Sequence, residues 1–537
     1  MQIAASSSRG LIPVRRAGVY VPVAAVLAMV AAVALGVLWV DDGHFTFPLD
    51  DPYIHLALAK NVWRGHYGLN AGEVSAPASS IVWPFLLAPF AATSLALAAP
   101  LAFDALCACA TVALFASLLD RLIDLDDPER KVRVVVGASV FFALATNLVG
   151  LALLGMEHSL QVLCATWLAT LVVREARSDR GEARPSPWAV AGAIAVGPVV
   201  RYELLGLSVL AAAYFFLRGR RVAAVGGLLT SAACLATFSL ELVAHGLSPL
   251  PTSVLAKAGA AQRQSLLATA LGNVRMQTHA GWAVILLLVA CAALVAIGRR
   301  RIARSDRGPA ALMLLTLVGH LLVGRSGWFG RYEAYVLAST YVFFAGVFAS
   351  RLSAWAAKPP SLASMLAAGA FAAVLASRYV GITVMTPLGA RNIYEQQAQT
   401  ARFVSEFYRR PVGVNDVGYV AWQSDAYVLD YIGLASSEAL AQQRLHGDDA
   451  GAWVGPISRA HDVRFAAIYD AWFRNLPASW VPCGRLRLGS RKVTASMDTV
   501  TFYVLDDSVR DEIKADVAAW RQALPTSVRF DVAEACR

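Results

Sequence analysis

The run from Val19 to Val40, VYVPVAAVLAMVAAVALGVLWV, carries no charge and follows the basic residues Arg9, Arg15 and Arg16. A helix crosses the hydrocarbon of a bilayer with ~20 mostly apolar residues, so this run reads as a span. A basic start before an apolar stretch with Ala-rich ends is also the pattern of a cleaved signal. Its length, and the apolar runs that follow it, favour an uncleaved anchor.

Ten further segments repeat the pattern: 98–119, 134–155, 158–173, 188–200, 204–217, 222–240, 280–298, 308–324, 334–350 and 361–377. The composition agrees. Apolar residues make up 57% of the 537 and charged residues 16%, against roughly 25% charged in an average soluble protein. Mean hydropathy is +0.54. A soluble fold cannot hide that much apolar surface, which excludes a cytosolic enzyme, a disordered chain and a small disulfide scaffold. The expected fold is a mostly α polytopic membrane protein with about eleven transmembrane helices.

Charge fixes the expected orientation. With the N-terminus inside, the inner loops hold 21 Lys and Arg, whereas the outer loops before residue 378 hold 8 over a longer stretch of chain. That is the positive-inside asymmetry, and it accounts for the net charge of +10 better than nucleic-acid binding does. Eleven spans then place the C-terminus outside, which for a bacterial inner (plasma) membrane means the periplasm. The segment 80–96, Pro-rich with polar flanks, reads as an interfacial or re-entrant helix.

From about Gly389 the composition turns polar. Residues 1–388 are expected to form the membrane domain, with a first outer loop at 41–97, and residues 389–537 a soluble α/β domain on the outer face. Pro411–Val414, Tyr427–Ile432, Phe465–Tyr469 and Val500–Leu505 read as strands. Arg391–Arg409 and Asp511–Leu524 read as helices. Cys107, Cys109, Cys164, Cys234 and Cys291 lie in apolar runs as packing residues. Cys483 and Cys536 can pair if their region faces an oxidising compartment. Of the aromatics Tyr419, Trp422, Trp453, Trp472 and Trp480, core packing accounts for most, although an indole or phenol face also suits a sugar ring.

Charge at membrane depth is expensive and needs a reason. Here it gathers at the expected outer ends of spans: Asp50 and Asp51, Glu157 and His158, Arg201-Tyr202-Glu203, Lys257, Arg325, and Arg331-Tyr332-Glu333. Snorkelling to water explains any one of these. Their common side favours a shared polar cavity. In Leu49-Asp50-Asp51-Pro52-Tyr53-Ile54-His55, two acids precede a helix with Pro in its first turn. One Asp suffices for a cap, so the second is a candidate general base. The apolar face from Tyr53 to Asn61 suggests a helix lying along the interface. Asp51 and His55, one turn apart, share a face and suit a sugar hydroxyl or, more weakly, a metal. Ser79 and Ser80 can cap the 80–96 helix or bind sugar.

Ordered motifs add a resemblance. Asp50-Asp51-Pro52-Tyr53-Ile54, then Asn70-Ala71-Gly72-Glu73 and Ser79-Ser80-Ile81-Val82-Trp83, resemble the first outer loop of GT-C glycosyltransferases, most of all their arabinofuranosyltransferase-like branch. Gly155-Met156-Glu157 resembles that branch's G-M-E, and Arg201-Tyr202-Glu203 its R-P-E. Gly246 to Thr252 with Lys257 resembles G-x-x-x-P-N-T-x-x-x-K, Gly330-Arg331-Tyr332 resembles G-R-Y, and Asn415-Asp416-Val417-Gly418-Tyr419 resembles the start of its outer domain. The resemblance covers residues 40–435. Tyr202 in place of Pro, and Pro251-Thr252 in place of Pro-Asn-Thr, depart from it.

The resemblance implies an inverting enzyme that takes a sugar, arabinofuranose or a similar pentose, from a polyprenyl-phosphate donor to a glycan, lipid or protein acceptor of the cell envelope. Asp50 or Asp51 would be the base. Arg201, Lys257, Arg331 and Arg325 would meet the donor phosphate. Tyr53, His55, Glu157, His158, Glu203, Ser79 and Ser80 would line the sugar and acceptor site. Glu157 and Glu203 could instead orient an Arg or ligate an ion, Arg201 and Glu203 could be an internal pair, and Lys257 an interfacial anchor. No HExxH, CxxC pair or EF-hand loop is present, so no metal site is expected, although some relatives use a divalent cation and that is left open. The alternatives are a mannosyl- or other hexosyltransferase of the same fold, a glycolipid transporter, and a glycan-binding sensor. No half-repeat or nucleotide-binding P-loop supports transport, and a sensor leaves the paired acids unexplained.

Overall fold

A long apolar run has one way to satisfy its backbone in hydrocarbon, the helix. In the computed structural model each of the eleven expected segments is helical over most of its length. The structure describes residues 8–256, 266–358, 361–447 and 449–537. Six helices among them are long and apolar enough to cross a membrane: Arg16–Val40, Ala98–Leu122, Arg221–Ala244, Arg304–Val323, Ala334–Ala357 and Leu362–Tyr408. The pair Leu267–His279 and Trp282–Gly298, bent by 99°, makes a seventh if it is one broken span rather than a re-entrant loop, while Pro187–Val200 and Tyr202–Leu217 are apolar but shorter. The segment 134–155 is broken: the helix Pro128–Ala145 ends at Thr146, Asn147 adopts a left-handed conformation, and Leu148–Ala152 resumes. The chain is therefore a multipass membrane protein, mostly α, with an α/β domain at its C-terminal end.

That domain holds six strands, β1 (Val412–Val414), β2 (Val428–Asp430), β3 (Phe465–Ile468), β4 (Val481–Arg487), β5 (Thr499–Val504) and β6 (Arg529–Val532), in the order β2-β1-β3-β5-β4-β6. The β2-β1-β3 part is parallel and the rest antiparallel. Its core is an aromatic cluster of Phe403, Phe465, Phe502, Trp520 and Phe530 with ring centroids 5.1–5.4 Å apart. Cys483 and Cys536 form a disulfide. Tyr419, Trp453 and Trp480 are buried as packing residues.

The two parts are joined by more than a tether. The last membrane helix passes residue 389 without a break, continuing through two wider turns as one 47-residue rod to Tyr408. Arg391–Arg409, expected as a separate helix, is the end of that rod. The 41–97 loop adds its own stitches. Asn70 pairs its side-chain amide with the free edge of β2, donating from Nδ2 to Val428 O at 3.0 Å and accepting at Oδ1 from Val428 N at 2.8 Å. Thr252 donates from its amide to Ala76 O at 3.0 Å and from its hydroxyl to Leu434 O.

The helix Asp51–Trp63 does not lie half-exposed on an interface, as its sequence suggests. Pro52 to Ala59 are all buried, because the C-terminal domain covers the side that the membrane domain leaves open. Tyr53 stacks 4.1 Å from Tyr419 and 5.5 Å from Trp422, and its hydroxyl accepts from Phe47 N at 2.9 Å. It is a core residue of the seam between the two parts.

Candidate active site

Asp50 and Asp51 are neighbours with different tasks. The Asp50 carboxylate does not cap its own helix. It accepts the amides of Gly418 (2.6 Å) and Tyr419 (2.9 Å), at the start of the short helix Gly418–Gln423. Only glycine permits this approach, since a Cβ at 418 would lie 2.8 Å from Asp50 Oδ2. Burial, and the charge of Asp416 nearby, push the Asp50 carboxyl well above the usual carboxylate range, with the two amides opposing. Asp50 is a clamp between the domains.

Asp51 points elsewhere. It is 35% exposed and pairs with Arg331, whose Nη2 lies 2.5 Å from Asp51 Oδ2 and which is itself only 4% exposed. The guanidinium also packs over the Tyr332 ring, 5.0 Å from its centroid, and donates to the Tyr332 hydroxyl at 3.2 Å. A carboxylate open to solution beside a fixed cation can take a proton and leaves that cation within reach of a developing anion.

One turn along the same helix, His55 Nε2 lies 3.3 Å from Glu157 Oε2. Burial pushes this imidazole below its usual range, with Glu157 opposing. Glu157 pairs with Arg201, and Arg201 forks onto Glu203 through Nε at 3.1 Å and Nη2 at 2.6 Å. Arg201 thus engages all three of its nitrogens with carboxylates inside the protein. Of the two readings open at the sequence level, internal pair or phosphate contact, the geometry matches the internal pair.

The structure therefore gathers Asp51, His55, Glu157, Arg201, Glu203 and Arg331 around the start of one helix. His158 is buried close by, with its ring 6.1 Å from that of Tyr332. Ser79 and Ser80 are buried, and Ser80 Oγ accepts from Trp83 N at 3.2 Å, a helix-start contact. Arg325 is exposed on the loop before Arg331. Lys257 lies outside the described residues. Among the described residues no group of three or more His, Cys, Asp or Glu is arranged to hold a metal ion.

Two buried acids near the site were not among the expected site residues. Asp104, in the helix Ala98–Leu122, is fully buried beside Ser159 and Glu157. A lone Asp inside an apolar span was the signal for it. Asp416 accepts from Gln397 Nε2 at 2.7 Å and the Tyr469 hydroxyl at 2.9 Å. Burial pushes its carboxyl up as well, with both hydrogen bonds opposing. Its motif was visible, but its role depends on partners on distant elements.

Residues 391–503 match a family described as "Domain of unknown function (DUF8728)". No curated protein matches the chain. Among solved structures, it is similar to an oligosaccharyltransferase of Archaeoglobus fulgidus crystallised with zinc and sulfate, at 10% identity over 94% of this chain and 74% of that one, TM-score 0.42. It is also similar to the archaeal oligosaccharyltransferase AglB of the same organism in complex with an inhibitory peptide and a dolichol-phosphate, at 11% identity over 95% and 76%, TM-score 0.43.

Proposed function

We propose that this protein is an inverting GT-C-type glycosyltransferase that moves a sugar, arabinofuranose or a similar pentose, from a polyprenyl-phosphate carrier to a cell-envelope acceptor. The observation that carries the reading is the pair of a solvent-reachable Asp51 and a buried Arg331 at the end of the helical bundle where the C-terminal domain docks. The order of the motifs from Asp50 to Tyr419 supports the donor class.

A lipid-linked donor calls for an enzyme with membrane spans, and single displacement calls for one base and one stabiliser of the leaving group. Asp51 takes the proton of the acceptor hydroxyl as its oxygen attacks the anomeric carbon. The bond from that carbon to the phosphate oxygen breaks on the opposite face, and the electron pair leaves with the lipid phosphate. Arg331 stabilises the charge that builds on the phosphate, with a guanidinium geometry that suits two oxygens at once. His55, Glu157, Arg201 and Glu203 form the floor that holds Asp51 and Arg331 in register, and Glu203, the most exposed of them, borders the sugar. The outer face of a bacterial inner membrane fits both the Lys and Arg asymmetry and a disulfide in the C-terminal domain, since such bonds persist in oxidising compartments.

The test is turnover with synthetic polyprenyl-phosphate sugars, read as release of lipid phosphate in the presence of acceptor. Asp51→Asn is expected to lower kcat by about 10²–10⁴, the usual share of a general base, while donor affinity changes by less than about threefold. Wild-type turnover in Asp51→Asn would refute the assignment.

A further inference from the structure

The loop leading into Arg331 holds four successive residues at positive φ: Gly327 (96°), Trp328 (48°), Phe329 (65°) and Gly330 (68°). This is a conformation that bulky L-residues avoid. Trp328 and Phe329 are the only aromatic residues in it among the described residues. The turn is fastened from three sides. Glu333 Oε2 accepts from Gly327 N at 2.9 Å, Asn147 Nδ2 donates to Phe329 O at 3.0 Å, and Arg331 N donates to Gly327 O at 3.3 Å. Gly330 is wedged in, since a Cβ there would lie 3.0–3.1 Å from Asn147, Ile382 and Tyr379.

With its neighbours fixed, Trp328 stands 68% exposed. Of the other exposed indoles, Trp472 belongs to the C-terminal domain, whereas Trp39, Trp63, Trp188 and Trp355 lie on regular helices before it. That placement suits a residue anchoring at the membrane surface, and such anchoring needs no unusual backbone. Trp328 differs in its backbone and in its place, one turn ahead of the cation that pairs with Asp51. A rigid indole offers a large face with little entropy to lose, and the negative charge of that face attracts the polarised C–H edges of a saccharide ring.

We propose that Trp328 is a saccharide-binding platform, on which a sugar ring stacks beside the Asp51–Arg331 pair, and that the fastened turn exists to present it. This rests on the transferase reading and adds to it the residue that grips the carbohydrate. The substitution Trp328→Gly separates the alternatives, because glycine accepts this φ without penalty. A platform lost this way leaves the fold as stable as before, or more so. A packing residue lost this way destabilises it.

The experiment is a titration of the purified full-length protein in detergent with tetrasaccharides of arabinofuranose and of mannopyranose, followed by tryptophan emission and by calorimetry. At least one probe is expected to shift the emission of the wild type. In Trp328→Gly the shift should vanish and affinity should fall at least tenfold, with an unchanged or higher melting temperature. Trp328→Phe should recover part of the affinity. Binding that is equal in wild type and Trp328→Gly overturns the proposal, as does a clear drop in melting temperature, or failure of both probes to bind the wild type. In the turnover assay, a tenfold rise in the KM of the acceptor marks the stacked ring as the acceptor's, and the same rise for the donor marks it as the donor's. A wild type that binds a probe but transfers no sugar contradicts the transferase reading while leaving the platform standing.

Discussion

Two ion pairs flank His55, and they are made from the same chemistry. Asp51–Arg331 has one member reaching solution. Glu157–Arg201 has none, and Arg201 needs Glu203 as a second carboxylate. A charge that leaves water must be matched by partners throughout, so the inner pair is committed to holding structure. The outer pair keeps one side of its carboxylate open, and only a group with an open side can exchange a proton with a substrate. On the proposed reading, equal charge and similar distance thus give a scaffold in one place and the reactive centre in the other.

The sharpest way to break that comparison is to remove the two arginines in turn. Arg201→Met removes the guanidinium that matches the buried Glu157, for which the neighbouring His55, whose protonation burial disfavours, is a poor substitute, and should cost about 3–5 kcal/mol of stability, read as a lower melting temperature and poor recovery from membranes. Arg331→Met should melt closer to the wild type, because Asp51 is partly solvated, yet lose turnover at saturating substrate. If both variants fail by unfolding alone, the distinction between scaffold and centre is wrong.

A smaller effect concerns Asp50 and Asp416. Both carboxyls are pushed above their ordinary range, so between the ordinary and the raised values the folded state holds protons that the unfolded chain has released. Stability from these groups is therefore greatest at low pH and declines as pH rises from the usual carboxylate range through the raised one. Asp416→Asn removes the charge facing Asp50 and should flatten that decline in melts taken from the ordinary carboxylate range upward. An unchanged slope would separate the clamp from the pH response. The smallest effect is expected at Lys60, which lies 3.1 Å from Asp425, a residue 77% exposed. Lys60→Ala should shift stability by no more than about 1 kcal/mol, as exposed pairs do, and so calibrates the larger losses.

What the chain revealed before its structure follows the same physical line. Spans were legible because hydropathy over twenty residues is a local property. So were β1, β2, β3 and β5, whose apolar runs mark the middle of the sheet and its parallel edge. Missing from that reading were β4 and β6, where Arg485, Arg487, Arg529 and Asp531 interrupt the pattern at a solvent-facing edge. The rod through residue 389 was hidden by a change of composition that looks like a linker, although one helix runs through it from Leu362 to Tyr408. At the site, Asp51, His55, Glu157, Arg201 and Arg331 were recognisable as a set by their shared side. The separate fates of Asp50 and Tyr53 were not, because their partners Gly418 and Tyr419 lie more than 360 residues away in the chain, and no local pattern encodes a docking contact.

The pairing of Asn70 with β2 has a consequence for anyone who cuts the molecule in two. A side chain from the membrane half finishes the hydrogen-bond ladder of the sheet, so a severed C-terminal fragment carries an unfinished strand. Bare edges of that kind recruit other strands. Such a fragment should self-associate in solution, and mixing in a peptide spanning residues 66–76 should return it to single copies by closing the gap that the separation opened.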